Sequence, residues 1–191
     1  MARIIAISGG IGVGKSIICK ILFHLGYDIY DCDSMAKRIM DNSQTIKDYI
    51  ATNISKDTIQ NNTINRKVLA NIVFNNKVLL DKLNSIVHFE VKNDIIKWVN
   101  NHYNNSKVFI ETAILYQSGI DQLVDEVWEI TAPDEMRIAR VMKRNNLSRE
   151  DVIARINSQK VTSENRTYKI IHKITNDNHQ AIMPQIYQLL K

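Results

Sequence analysis

Residues 3–16 read Arg3-Ile4-Ile5-Ala6-Ile7-Ser8-Gly9-Gly10-Ile11-Gly12-Val13-Gly14-Lys15-Ser16. An apolar run feeds directly into the pattern G-x-x-x-x-G-K-[ST] over Gly9 to Ser16, which describes a loop that cradles phosphate oxygens. A short β-rich strand, a glycine loop and then a helix form an anion pocket, because the loop's N–H groups turn inward and the helix dipole points its positive end at the same place. Gly9, Gly10, Gly12 and Gly14 permit backbone turns that a Cβ would obstruct, Lys15 reaches the outer phosphates, and the Ser16 hydroxyl ligates Mg²⁺. Four of the chain's 6 glycines fall in this loop. The plainer reading, a turn with a surface lysine, leaves the flanking strand and helix unexplained.

The helix behind the loop is legible by itself. Ile17, Ile18, Ile21, Leu22 and Leu25 recur at helical spacing, and Gly26 sits where a left-handed cap ends such a helix. With 191 residues and 45% hydrophobic content, the chain suits one core with appended elements and excludes a disordered polymer. No apolar run approaches the roughly 20 residues that cross a bilayer, and the strand begins too early for a signal peptide, so the expectation is a cytoplasmic protein. Cys19 and Cys32 show neither C-x-x-C spacing nor a disulfide framework, and the 5 histidines lack paired-ligand spacing, which disfavours zinc and leaves Mg²⁺ as the expected metal. A formal charge of +5 points to anionic partners without separating nucleic acid from phosphorylated small molecules.

Five segments read as strands: Arg3–Ser8, Tyr27–Tyr30, Lys107–Glu111, Glu126–Thr131 and Lys169–Thr175. Helical patterns separate them, which predicts an α/β fold whose parallel sheet is flanked by helices and collects ligands at the strands' carboxyl ends. Between Tyr30 and Lys107 the chain is far longer than the dozen or so residues of a simple crossover. Val68, Leu69, Ile72 and Val73, then Leu79 to Val87, then Val91 to Val99 repeat on helical faces there, which predicts a small helical subdomain. Asn61-Asn62, Asn75-Asn76, Asn100-Asn101 and Asn104-Asn105 read as the intervening turns. A second interruption follows Ala132-Pro133, where Arg137, Arg140 and Arg144 share a helical face opposite Ile138, Val141 and Met142. Lys143, Arg149, Arg155 and Lys160 extend this positive segment.

Several carboxylates and amides have two readings. Asp31 and Asp33 end the second strand, where an extended chain puts both on one side; Asp33 either accepts a hydroxyl proton and helps hold Mg²⁺, or caps the next helix. Glu111 either orients Mg²⁺ or is an exposed strand end. The arginine row is a solvated face or a set of phosphate forks. Asn176 reads an adenine edge or closes a turn.

Taken together these residues resemble the dephospho-coenzyme A kinase family, which phosphorylates the ribose 3′-hydroxyl of dephospho-CoA. The family's Gly-Gly-Ile-x-x-Gly-Lys-Ser loop matches residues 9–16, and its Asp-x-Asp matches Asp31-Cys32-Asp33. Arg66, Leu69 and Val73-Phe74 resemble its Arg-x-x-Leu-x-x-x-Val-Phe run, and Ile86-Val87-His88 its Ile-x-His stretch. Arg140 and Arg144 match its lid arginines, and Arg155-Ile156-Asn157-Ser158-Gln159 its Arg-Ile-x-x-Gln signature. The resemblance implies a P-loop kinase core at 1–33, 106–136 and 161–191 with a five-stranded parallel sheet, a helical dephospho-CoA-binding insertion at 34–105, and a helical lid at 137–160. It implies ATP as donor with Mg²⁺, held by Gly10, Ile11, Gly12, Val13, Gly14, Lys15, Ser16, Ile17, Arg140, Arg144 and Asn176. Asp33, Lys15 and Arg140 become the catalytic candidates, Ser16 and Asp33 the metal ligands, and Asp31, Asp33, Arg66, His88, Glu111 and Arg155 the acceptor-side residues. The expected partners are dephospho-CoA and ATP, with no nucleic acid and no membrane, for a chain expected to act as a monomer.

The chain departs from that family at Glu111-Thr112-Ala113-Ile114-Leu115-Tyr116-Gln117, where Asp-x-Pro-Leu-Leu-Phe-Glu is usual, at Phe89 after His88, and at His172. The loop and Asp33 are untouched. A nucleoside monophosphate or shikimate kinase shares the loop and lid but carries a shorter insertion, and a nucleic-acid-binding ATPase shares the charge.

Overall fold

The computed structural model describes residues 2–102, 104–159 and 170–191. Lys160, Lys169 and the segment 161–169, assigned above to the lid edge, the last strand and the core, lie outside the described residues.

Two compact units emerge, Met1–Asp31 with Asn101–Lys191, and Cys32–Asn100. The first is built on β1 (Arg3–Ser8), β2 (Ile29–Asp31), β5 (Lys107–Thr112), β6 (Glu126–Thr131) and β7 (Ile170–Thr175), with α1 (Lys15–His24), α6 (Asp134–Asn145), α7 (Arg149–Ser158) and α8 (Ile182–Leu190). Among the described residues these five strands form one parallel sheet in the order β2-β5-β1-β6-β7. The chain runs outward from β1 to β2, returns through β5, and crosses to β6 on the other side of β1. That reversal makes the carboxyl end of β1, where the glycine loop begins, the topological switch point at which ligands collect in open α/β sheets.

The sheet is apolar on both faces, as a covered parallel sheet requires. Ala6, Val108, Ile110 and Val127 are buried on one side. On the other, Ile5, Ile7, Phe109, Trp128, Ile130 and Ile174 join Ile18 and Leu22 of α1 and Ile186 of α8 in one cluster. Phe109 and Trp128 meet edge to face at 5.2 Å, an arrangement worth about 0.5–1.5 kcal/mol beyond the area they bury. The result is a rigid platform beneath the loop.

Gly26 ends α1 with φ of +88°, and the amides of Gly26 and Tyr27 bond back to Phe23 and Leu22, a Schellman cap. This cap uses Tyr27, so β2 begins at Ile29 and not at Tyr27. The strand stops at Asp31 and a helix starts at Cys32, which places Asp33 in a helical first turn. The expectation that an extended backbone aligns Asp31 with Asp33 is therefore corrected: the chain is helical by residue 33.

The second unit contains α2 (Cys32–Asn42), α3 (Gln44–Asn53), a 3₁₀ turn at Lys56–Thr58, β3 (Ile59–Gln60), β4 (Thr63–Ile64), α4 (Arg66–Phe74) and α5, which runs from Lys77 to Asn101. Two features go beyond the sequence-based expectation. The last two helical groups are one helix, since Leu83, Val87, Val91 and Ile95 are its buried residues at unbroken spacing of four and no glycine or proline interrupts them. Asn100-Asn101 accordingly lies in its last turn. The strands β3 and β4, with Asn61 and Asn62 both at positive φ between them, form an antiparallel hairpin that helical periodicity cannot reveal.

Candidate active site

Gly14 opens α1 in the left-handed region at φ +99°, and no side chain caps the helix there. No side chain competes there with an incoming anion for the amides at the helix start, which is the physical basis of anion binding at such a place. Lys15 occupies the first helical position, and its ammonium donates to the Gly9 carbonyl at 2.9 Å, folding back across the loop. Ser16 and Ile17 are exposed beside it.

The helical pair α6–α7 grips the loop from the side. Ile138, Val141, Val152 and Ile156 form a small core between these helices, and Ile11 of the loop packs against it. Arg140 reaches the Gly12 and Val13 carbonyls at 3.4 and 3.5 Å, and Arg137 reaches the Ile11 carbonyl at 3.0 Å. Arg144, one turn farther on, is exposed and bonds the neighbouring Asn145 side chain at 2.8 Å. So the arginine row divides: Arg137 and Arg140 meet the loop, and Arg144 does not. Met142, read as lining the apolar face, is 37% exposed.

Asn176 follows β7 and is buried, with 4% of its surface exposed. Its amide donates to the Val13 carbonyl at 2.8 Å and accepts from Arg140 at 3.2 Å. A Cβ on Gly14 would collide with this amide, so the two residues fit only as a glycine and a small polar side chain. One sequence expectation is corrected: the loop's N–H groups do not all turn inward. The Ile11 N–H donates instead to Gln159 at 2.7 Å, a tertiary partner with no signature in the local sequence.

Around the other side of α1, Asp31 and Glu111 occupy one rung of the β2–β5 ladder. The Cys19 thiol of α1 is held far above its ordinary range, first by burial, then by the Glu111 carboxylate to which it hydrogen-bonds; Lys15 opposes the shift and Asp31 adds to it. Lys15, Asp31 and Glu111 therefore all act electrostatically on one buried thiol, and its hydrogen bond makes Glu111 more than a bare strand end. His172 pairs with the buried Glu126 carboxylate at 3.3 Å, at the amino end of β6, and Glu126 also receives Arg3 at 2.7 Å.

A cavity of about 380 Å³ opens at the carboxyl ends of β1 and β6. Gly9 and Gly10, Ala113, Leu115, Tyr116 and Gln117, and Glu129, Arg137 and Gln159 are among the residues that line it. Its lining is about as polar as it is apolar, and convergent polar groups in a cleft are what orient a ligand. Arg137 and Gln159 were absent from the sequence-derived site, although Arg137 heads the arginine row and Gln159 closes the Arg155–Gln159 signature. Arg155 itself is exposed.

In the second unit, Arg66 pairs with Asp41 at 2.8 Å and with the Lys37 carbonyl at 3.3 Å, tying α4 to α2. His88 is half-buried on α5, and burial, with Lys92 adding, holds its pKa below the usual imidazole value. At neutral pH it offers a hydrogen bond and not a charge.

A family model described as dephospho-CoA kinase matches residues 3–181. The dephospho-CoA kinase of Porphyromonas gingivalis is 34% identical over 187 residues, covering 98% of this chain and 92% of the relative. That of Dehalococcoides mccartyi is 37% identical over 180 residues, covering 92% and 89%. The solved dephospho-CoA kinase from Campylobacter jejuni superposes with a TM-score of 0.69 at 27% identity, covering 100% of this chain and 96% of that one.

Proposed function

The chain belongs to the dephospho-CoA kinase family and phosphorylates dephospho-CoA with ATP in coenzyme A biosynthesis, and from that premise we propose that the acceptor is the ribose 3′-hydroxyl and that Asp33 is the base that takes its proton. The observation that carries the donor side is the uncapped start of α1 at Gly14, with Lys15 as its first residue and the loop braced by Arg137, Arg140 and Asn176. A loop held in shape before the nucleotide arrives spends little binding energy on ordering itself.

In this reading the loop and first-turn amides other than those of Ile11 and Ile17, together with the Lys15 ammonium, bind the β and γ phosphates, Lys15 leaving the Gly9 carbonyl to do so. Arg140, with Arg144 one turn on, screens charge on the transferring group, and Asn176 supports the adenine side. Asp31, Glu111, Arg66, His88 and Arg155 serve the acceptor. Phosphoryl transfer needs positioning and charge neutralisation more than covalent help, so fixed cations and one well-placed carboxylate suffice.

Among the described residues no group of three His, Cys, Asp or Glu side chains converges to cage a metal. The donors proposed for Mg²⁺, the Ser16 hydroxyl and the Asp33 carboxylate, are hard oxygens, as that ion prefers, and it completes its shell with waters and phosphates. When bound, Mg²⁺ neutralises phosphate charge. The described helices include none long and apolar enough to cross a membrane; we place the enzyme in the cytoplasm as a monomer.

A substrate panel with the purified protein tests the assignment. Dephospho-CoA is the expected acceptor by a large margin over AMP, UMP, dTMP and shikimate, with turnover lost in EDTA. Equal or better use of any of those alternatives refutes it.

A further inference from the structure

Ile11, at the tip of the loop, is anchored three ways by α6, α7 and the residue that follows α7, far downstream in sequence. Its N–H donates to Gln159 Oε1 at 2.7 Å, its carbonyl accepts from Arg137 Nε at 3.0 Å, and its side chain enters the α6–α7 core. Arg137 is in turn fixed by Asp134 at 2.7 Å and is only 13% exposed. Gly10 makes room for both clamping side chains: a Cβ there would strike the Arg137 guanidinium and lie 3.5 Å from Gln159 Oε1. Gly10 is outside the left-handed set of glycines, so space and not backbone conformation is what the position demands.

We propose that Gln159 and Arg137 are positioning residues that set ATP affinity by pinning Ile11, and with it the loop's shape, to the α6–α7 pair. Neither needs to touch nucleotide to act. A loop with four glycines in its first six residues has unusual freedom to lose on binding, and each backbone residue that must be ordered costs about 1–2 kcal/mol. The clamp orders the tip in advance, so the bound and free loops differ less. Because Arg137 and Gln159 act on the free protein's shape, their loss weakens binding while sparing the step that follows it. The inference rests on the reading that this loop holds ATP.

The test uses Gln159→Met, which keeps the side chain's length and removes its acceptor, and Gln159→Glu, which keeps an oxygen. Three quantities are measured: exchange of the Ile11 amide by NMR in the ligand-free protein, ATP affinity by calorimetry without acceptor, and turnover at saturating substrates. In Gln159→Met the Ile11 amide loses protection, ATP binds about tenfold more weakly and kcat stays within about twofold, a split that marks lost binding and not lost chemistry. In Gln159→Glu the Ile11 amide keeps its protection. Wild-type protection and ATP affinity in Gln159→Met overturn the proposal, as does a fall in kcat with ATP affinity retained. Failure of the wild type to bind ATP overturns the nucleotide reading as well, and shows in the wild-type arm alone.

Discussion

Replacing Asn176 with alanine separates two roles for this side chain, a strut inside the loop's support or a reader of the adenine edge. The amide is buried, at 4% exposure, and donates to the Val13 carbonyl at 2.8 Å. After truncation that buried carbonyl keeps only the long 3.5 Å approach of Arg140 Nη1. Leaving a buried acceptor so poorly served costs about 1–3 kcal/mol. The second lost bond, from Arg140 at 3.2 Å, matters less, because Arg140 retains the Gly12, Asn176 and Asn178 oxygens at 3.4 Å. The expected destabilisation is therefore about 2 kcal/mol, a fall in Tm of about 4–8 °C for a protein of this size. Urea titration and a thermal melt measure it. A double-mutant cycle with Arg140→Met should return a coupling of at least about 0.5 kcal/mol, as for residues sharing one network. Should Asn176→Ala melt with the wild type while binding ATP more weakly, the strut reasoning is wrong and the adenine contact stands alone.

Asp33→Asn lowers kcat by about 10²–10⁴-fold, the usual contribution of a general base, and leaves ATP affinity nearly intact; ADP release and calorimetry read the two, and wild-type turnover removes Asp33 as the base. The depressed pKa of His88, caused chiefly by burial, means that an unfolded chain takes up the proton first as pH falls. The stability due to neutral His88 is thus complete above about pH 6.5 and declines as pH drops toward its folded value, so His88→Gln should flatten the acid side of a urea-midpoint profile; an unchanged slope refutes the assignment. Cys19, buried and pushed upward by its surroundings and by Glu111, stays protonated and should resist iodoacetamide at about pH 8 until urea unfolds the chain. Rapid alkylation of the Cys19 peptide in native protein contradicts the burial.

Much of the scaffold is legible in residues 3–26 because every signal there is local. Ile4 to Ile7 suits a covered strand, the glycine spacing suits a phosphate loop, and Gly26 closes α1 through bonds to residues only three and five positions earlier. The strands Arg3–Ser8 and Glu126–Thr131 agree residue for residue with the structure. Where local signals were ambiguous, the sequence-based picture needed change: Asn100-Asn101 lies inside α5 and not in a turn, and Asp33 is helical, while the single long α5 and the hairpin around the Asn61-Asn62 turn came only with the structure.

Residue chemistry alone, then, determined the phosphate loop, the parallel sheet and the family to which this chain belongs, since these follow from periodicity, glycine placement and motifs contained in short windows. Only tertiary structure decided how the loop is held. Arg137, Gln159 and Asn176 meet Ile11 and Val13 from more than a hundred positions away, and no local pattern specifies which carbonyl a distant guanidinium or amide will find. Side-chain partners across such separations are selected by the packing of α6, α7 and β7 against the loop, which exists only once the chain has folded.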